Sequence, residues 1–155
     1  MAQFNFDEKR VVITHANAFM GPTLVEVFKE YGAEVIVDDQ TLLNAGAIAN
    51  LIDHAGHVDI LIVNLAVPAP LTTVLDSDEE EWQYVFEHIV DPLPILIRAV
   101  LPPMIERGDG RILVMGSAAA LRGMKRTSTY SAARKLRLCK PLGSKSRHVT
   151  LRSML

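Results

Sequence analysis

Arg10-Val-Val-Ile-Thr14-His-Ala-Asn-Ala-Phe19-Met-Gly21 decides the fold. Its β-branched run reads as a short buried strand, and it ends in a polar turn. Beyond Gly21 the apolar residues Leu24, Val25, Val27 and Phe28 recur at helical spacing over Gly21–Tyr31, and Gly32 stops the helix. The same alternation repeats outward. Glu34–Val37 is a second strand closed by Asp38-Asp39, and Ala45–His54 is a second amphipathic helix with Gly56 beyond its end. Val58-Asp-Ile-Leu-Ile-Val-Asn64 is the strongest strand of all.

Ser77-Asp-Glu-Glu80 has the spacing of a capping box and opens a long helix towards Arg107, bent near Pro92 and Pro94. A strand over Gly110–Gly116 ends at Ser117, and a further helix starts near Ser128 and carries Tyr130 and Arg134. Strand and helix taken in turn mean an α/β fold: a parallel sheet covered on both faces, with ligands beyond the carboxyl ends of the strands.

The 155 residues are 49% hydrophobic with a formal net charge of −2, as expected for one soluble domain with a real core. Apolar runs such as Asp59–Ala69 are interrupted too early to cross a bilayer. Met1–Arg10 lacks an apolar signal region. Cys139 is the only cysteine, which excludes a disulfide framework and a thiolate metal cluster. A cytoplasmic location is the resulting expectation, with no membrane partner.

The net charge hides a split. Residues 1–134 hold ten Lys/Arg against eighteen Asp/Glu. Residues 135–155 hold six Lys/Arg and no acid, in a stretch with Pro141-Leu-Gly143 and no periodic apolar face. Such a tail could contact nucleic acid. The reading preferred here is that it is foreign to the domain before it, so no nucleic-acid partner is expected.

Two constellations carry chemistry. The turn Thr14–Gly21 stands where nucleotide-binding α/β proteins place glycines so that backbone amides approach a pyrophosphate. Only Gly21 is a glycine; His15 and Phe19 hold positions where a side chain would obstruct a cofactor. Taken alone, the stretch is an ordinary strand-to-helix turn. The second constellation is Ser117, then twelve residues, Tyr130, then three residues, Arg134. Residues four apart share a helix face, and a guanidinium beside a phenol favours tyrosinate, so Tyr130 can act as a general base while Ser117 holds a substrate oxygen.

Tyr130 and Arg134 by themselves read as a surface pair; with Ser117 and the turn they read as a site. His54 and His57 lack an implied carboxylate or cysteine partner and read as solvated, so no metal site is expected. Asp78–Glu81 reads as helix-start chemistry and Trp82 as packing. His15 either lines the pocket or faces solvent.

These motifs resemble the short-chain dehydrogenases, marked by Ser-x12-Tyr-x3-Lys and Thr-Gly-x3-Gly-x-Gly. Asp59-Ile-Leu-Ile-Val-Asn64-Leu-Ala66 and Arg98-Ala-Val-Leu-Pro-Pro-Met104 are similar to that family as well. The departures resemble the halohydrin dehalogenase branch: Thr14, Phe19 and Gly21 fit Thr-x4-Phe/Tyr-x-Gly, and Ser117, Tyr130 and Arg134 fit Ser-x12-Tyr-x3-Arg. Only one helix fits between Asp38 and Asp59, where cofactor-dependent members add a strand and helix around the adenosine. No asparagine lies near Ile89, where they place one for a proton relay.

The resemblance covers about residues 8–134. It implies a Rossmann-like doubly wound parallel sheet, truncated, and a lyase that needs no cofactor. Tyr130, assisted by Arg134, deprotonates a vicinal haloalcohol held by Ser117; an epoxide forms and halide leaves towards Thr14, Phe19 and Gly21. The reverse would open epoxides with small anions. Two alternatives stand beside it: an NAD(P)-dependent oxidoreductase with a variant turn, and an inactive truncated fragment whose tail, residues 135–155, is a frameshift product. Family members form homo-oligomers through their two long helices, an assembly doubtful here. The chain as given is expected to leave Arg111–Met115 as an open apolar edge, and hence to be poorly soluble and inactive.

Overall fold

The computed structural model describes residues 5–39, 42–122 and 124–135, and the backbone of 149–154. The chain opens with β1 (Arg10–Ile13), α1 (Gly21–Glu30), β2 (Glu34–Val37), α2 (Ala45–Ala55) and β3 (Ile60–Val63). It continues through α3 (Glu79–Ile89), α4 (Pro92–Arg107), β4 (Gly110–Met115), α5 (Ala119–Arg122), α6 (Ser128–Arg134) and β5 (Val149–Met154). The strands form one sheet in the order β2-β1-β3-β4-β5, all parallel.

Alternation along each strand splits the core into two layers. Val11, Ile13, Ile60 and Ile62 pack with Leu24, Val25 and Phe28 of α1. Val12, Leu61, Val63 and Ile112 point the other way, against Ile48 and Leu51 of α2 and Leu93, Leu96, Val100 and Met104 of α4. This period-2 division of an almost wholly apolar strand is what a sheet covered on both faces requires. Burying a side chain such as Leu96, fully enclosed here, contributes about 2 kcal/mol. The doubly wound, Rossmann-like architecture read from the sequence is therefore the observed one.

Three readings need correction. The first concerns the tail: β5 runs parallel to β4, with Gly110 opposite Val149 and Met115 opposite Met154. Arg111–Met115 is thus a covered strand and not an open edge. The segment carries no helical periodicity, but a parallel strand asks only for backbone groups in register and tolerates Val149-Thr150-Leu151 well. Apart from Lys135 and this strand, the proposed foreign tail, residues 136–148 and 155, lies outside the described residues.

The second concerns the long helix. It is not bent at Pro92 and Pro94; α3 stops at Val90 and α4 starts afresh at Pro92, a favourable first-turn position for a residue without an N–H. The N-cap of α3 is Asp78, whose carboxylate accepts from the Glu81 N–H at 2.8 Å, one residue beyond the predicted Ser77. The third concerns apolar length. Glu79–Arg107 spans 29 residues with a window of mean hydropathy 1.3, long and apolar enough to cross a membrane by length and composition. One third of that window is buried, in part by the face of α4 that covers the sheet.

Removing residues 149–155 should uncover the β4 edge and promote self-association, read as a rise in weight-average mass by light scattering. An unchanged mass would show that β4 needs no cover.

Candidate active site

The carboxyl ends of β1, β3 and β4 meet on one side of the sheet, and every predicted site residue lies there or on α1 and α6. Thr14 follows β1, is fully buried, and accepts the Asn64 backbone N–H on its hydroxyl at 3.0 Å. Thr14 therefore works beneath the turn. Asn64, equally buried at the end of β3, donates its side-chain amide to the carbonyls of His15 (3.0 Å) and Ala18 (2.9 Å). One side chain thus adds a second donor to two turn carbonyls that already accept the Ala18 and Gly21 backbone N–H groups.

The turn keeps a glycine-type backbone without the glycines. His15 and Phe19 have φ of 45° and 54°, in the left-handed region that costs side-chain-bearing residues free energy. Gly21 is irreplaceable for another reason: a Cβ there would lie 2.5 Å from the Ala16 carbonyl oxygen. Phe19 is 60% exposed, its ring standing out from the turn. His15 neither lies open to solvent nor stands free, because it is 8% exposed and its Nδ1 takes the Ala66 N–H at 3.0 Å. Burial lowers its pKa below the usual 6.5, opposed by the Ala66 contact and Asp38, and reinforced by His88 and Arg134. Nδ1 also lies 3.2 Å from the Ala66 carbonyl oxygen, so the ring is held against the Ala66 backbone in either tautomer.

α1 starts at Gly21 with Met20 as N-cap, no side-chain cap and no acidic residue in its first turn. No carboxylate competes at this helix start, although the Gly21 N–H is already bonded to the Ala18 carbonyl and Pro22 has none to offer.

On α6, Arg134 lies under Tyr130 with its guanidinium carbon 5.0 Å from the ring centroid, so the i, i+4 pair forms as predicted. Arg134 is not a surface residue. It is 8% exposed and donates Nη1 to the Met115 carbonyl (3.1 Å) and Nη2 to the Leu65 carbonyl (2.6 Å). The planar fork ties the ends of β4 and β3 together, a task for which lysine has too compact a head. Arg134 borders a small cavity of about 30 Å³ between α6, β4 and the α3–α4 break, walled by Ile89, Val90, Leu93 and Val114.

Tyr130 packs with Val85, Ile89 and Ala133. Ser117, half-buried beyond β4, accepts the Ala119 N–H at 3.2 Å. The structure joins Thr14 to Asn64 and Tyr130 to Arg134, while Ser117 is engaged by its own loop. Elsewhere, His57 has a carboxylate partner after all, Asp59 at 3.1 Å, and no metal-ligand cluster occurs among the described residues.

A parallel doubly wound sheet with a tyrosine and a basic residue on the helix after β4 defines a class of nucleotide-fold enzymes. The short chain dehydrogenase family pattern matches residues 44–136, and the chain belongs to that family. It is 31% identical over 147 residues to the Xanthomonas campestris 2-keto-3-deoxy-L-fuconate dehydrogenase, covering 81% of this chain and 49% of that protein. It is 32% identical over 87 residues to bovine dehydrogenase/reductase SDR family member 4, covering 56% and 31% respectively. The chain thus spans about a third to a half of the length of these relatives. Among solved structures, a dehalogenation enzyme superposes with a TM-score of 0.75 at 24% identity, covering 84% of this chain and 62% of that one. The L-sorbose reductase of Gluconobacter frateurii, complexed with NADPH and L-sorbose, superposes at 0.78 with 20% identity, covering 86% and 61%. At these identities both likenesses are likenesses of fold.

Asn64→Ala should lower stability by about 2 kcal/mol, since two buried hydrogen bonds of about 1 kcal/mol each are lost; urea unfolding measures this. His15 gives a pH signature. Its folded pKa is depressed, so its contribution is fully present above pH 6.5 and is lost as pH falls, when only the unfolded chain gains the proton. His15→Gln should therefore lose less melting temperature than the parent between pH 7.5 and 5.

Proposed function

We propose that the chain carries the site of a cofactor-independent haloalcohol dehalogenase. The observation that carries this reading is the first turn: a glycine-type backbone from which the exposed Phe19 ring stands out where a pyrophosphate would need bare amides. The turn does not fit that group. The uncapped, acid-free start of α1 suits a small anion instead.

In this reading Tyr130 takes the hydroxyl proton of a vicinal haloalcohol whose oxygen Ser117 holds by a hydrogen bond. The oxygen forms a bond to the neighbouring carbon as the carbon–halogen bond breaks, which yields an epoxide, and halide departs towards Phe19 and Gly21. Arg134 supplies positive charge beneath the phenol and holds the strand ends in place. The reading includes the reverse opening of epoxides by small anions and a cytoplasmic location; the family's homo-oligomer, formed through its two long helices, stays doubtful for this chain.

A second reading, nicotinamide-dependent oxidoreduction, has its own support. A groove of about 570 Å³ at the carboxyl end of β2 is bordered by Asp38, Asp39, Asn44, Asn50 and His54. Acidic groups about 20 residues beyond the first turn are suited to ribose hydroxyls. The curated relatives named above are dehydrogenases by name.

Thermal unfolding with bromide, chloride, NAD(H) and NADP(H) separates the two. Bromide at ten times its dissociation constant should stabilise the chain by about 1.4 kcal/mol, and the nicotinamides should not. A saturable nicotinamide shift without a halide effect would establish the second reading in its place. Bromide release from a vicinal bromoalcohol should vanish in Tyr130→Phe, and Ser117→Ala should raise its barrier by about 3 kcal/mol.

A further inference from the structure

Glu81 lies in the first turn of α3, yet its carboxylate does not serve that helix, because Asp78 supplies the cap. One oxygen, Oε2, accepts the Thr72 hydroxyl at 2.5 Å, and the other, Oε1, accepts the Thr129 hydroxyl at 2.6 Å. Thr72 belongs to the loop that leaves β3. Thr129 is fully buried, and it immediately precedes Tyr130 in α6. A single carboxylate therefore joins three segments that meet at the site: the β3–α3 loop, the start of α3 and the tyrosine helix.

α6 needs such an anchor. It has seven residues, below the length at which a helix holds itself, and its N-cap Thr127 makes no side-chain capping bond. The Thr127 hydroxyl is instead engaged with Met124 and Ser131. At its far end α6 is held by the two carbonyl bonds of Arg134. At its near end the polar bond that ties it to α3 is the one from Thr129 to Glu81. Hydrogen bonds to an ionised acceptor are about twice as strong as neutral ones, and these two run to both oxygens of the same group.

We propose that Glu81 is a positioning residue: with Thr129 it clamps α6 so that the Tyr130 ring stays over the Arg134 guanidinium. This rests on Tyr130 being the reacting base, which both readings above share. It concerns where the phenol is held, not which substrate meets it.

The test uses near-isosteric variants of the 155-residue chain: Glu81→Gln, Thr129→Val and Thr129→Ser. The readouts are the carbon-13 ring signals of the tyrosines and their rates of nitration. Tyr31 and Tyr84, 38% and 45% exposed, serve as internal references. Thr129→Val and Glu81→Gln should shift the Tyr130 ring signals and speed its nitration several-fold. Tyr31 and Tyr84 should be unmoved, and Thr129→Ser, which keeps the hydroxyl, should restore the parent behaviour.

Unchanged Tyr130 signals in Thr129→Val would overturn the proposal. So would a change shared by all three tyrosines, which would mark general loosening. Bromide stabilisation of the parent chain, measured on the same samples, reports separately on the dehalogenase reading. Its absence would remove that reading and leave the clamp standing.

Discussion

The buried amide of Asn64 holds the site's first turn against the end of the central strand, and the rest of the arrangement depends on it. A turn that carries side chains in left-handed backbone at His15 and Phe19 is costly, and it persists only if something else over-determines it. Asn64 does so from inside, with two donated bonds to the turn and a backbone N–H given to Thr14. His15 adds a tie of its own through Ala66. Four hydrogen bonds thus tie the turn to the segment just beyond β3, which keeps the start of α1 in place.

Arg134 plays the matching part on the other side. Its fork spans the carbonyls of Leu65 and Met115, so the ends of β3 and β4 cannot separate without breaking charge-assisted bonds. The cation that sits below Tyr130 is therefore also a structural cross-tie. A lysine there would retain the charge but could not reach both carbonyls in one plane. In the proposed site, chemistry and fold are coupled through a single buried guanidinium, and truncating it would be expected to loosen the strand ends it joins.

The tail shows how a sheet recruits what periodicity hides. Val149–Met154 is too short and too mixed in character to announce a strand, and its basic flank suggests a segment unrelated to the domain. Next to β4 it needs only to present N–H and C=O groups in register. Pairing is a property of two strands together, so one strand's composition could not reveal it.

Read alone, the sequence determined the alternation of strands and helices, the parallel sheet and the Tyr130–Arg134 pair, because each rests on spacing within a few residues. It also marked the turn at Thr14–Gly21 as lacking glycines. Only the tertiary structure decided that Arg134 is buried beneath the sheet ends, that His15 turns inward to Ala66, and that Glu81 reaches Thr72 and Thr129. In sequence Glu81 is one acid among four at a helix start, and nothing local distinguishes it from Glu79 or Glu80. Its partners lie 9 and 48 residues away, and contacts between distant segments leave no periodic trace.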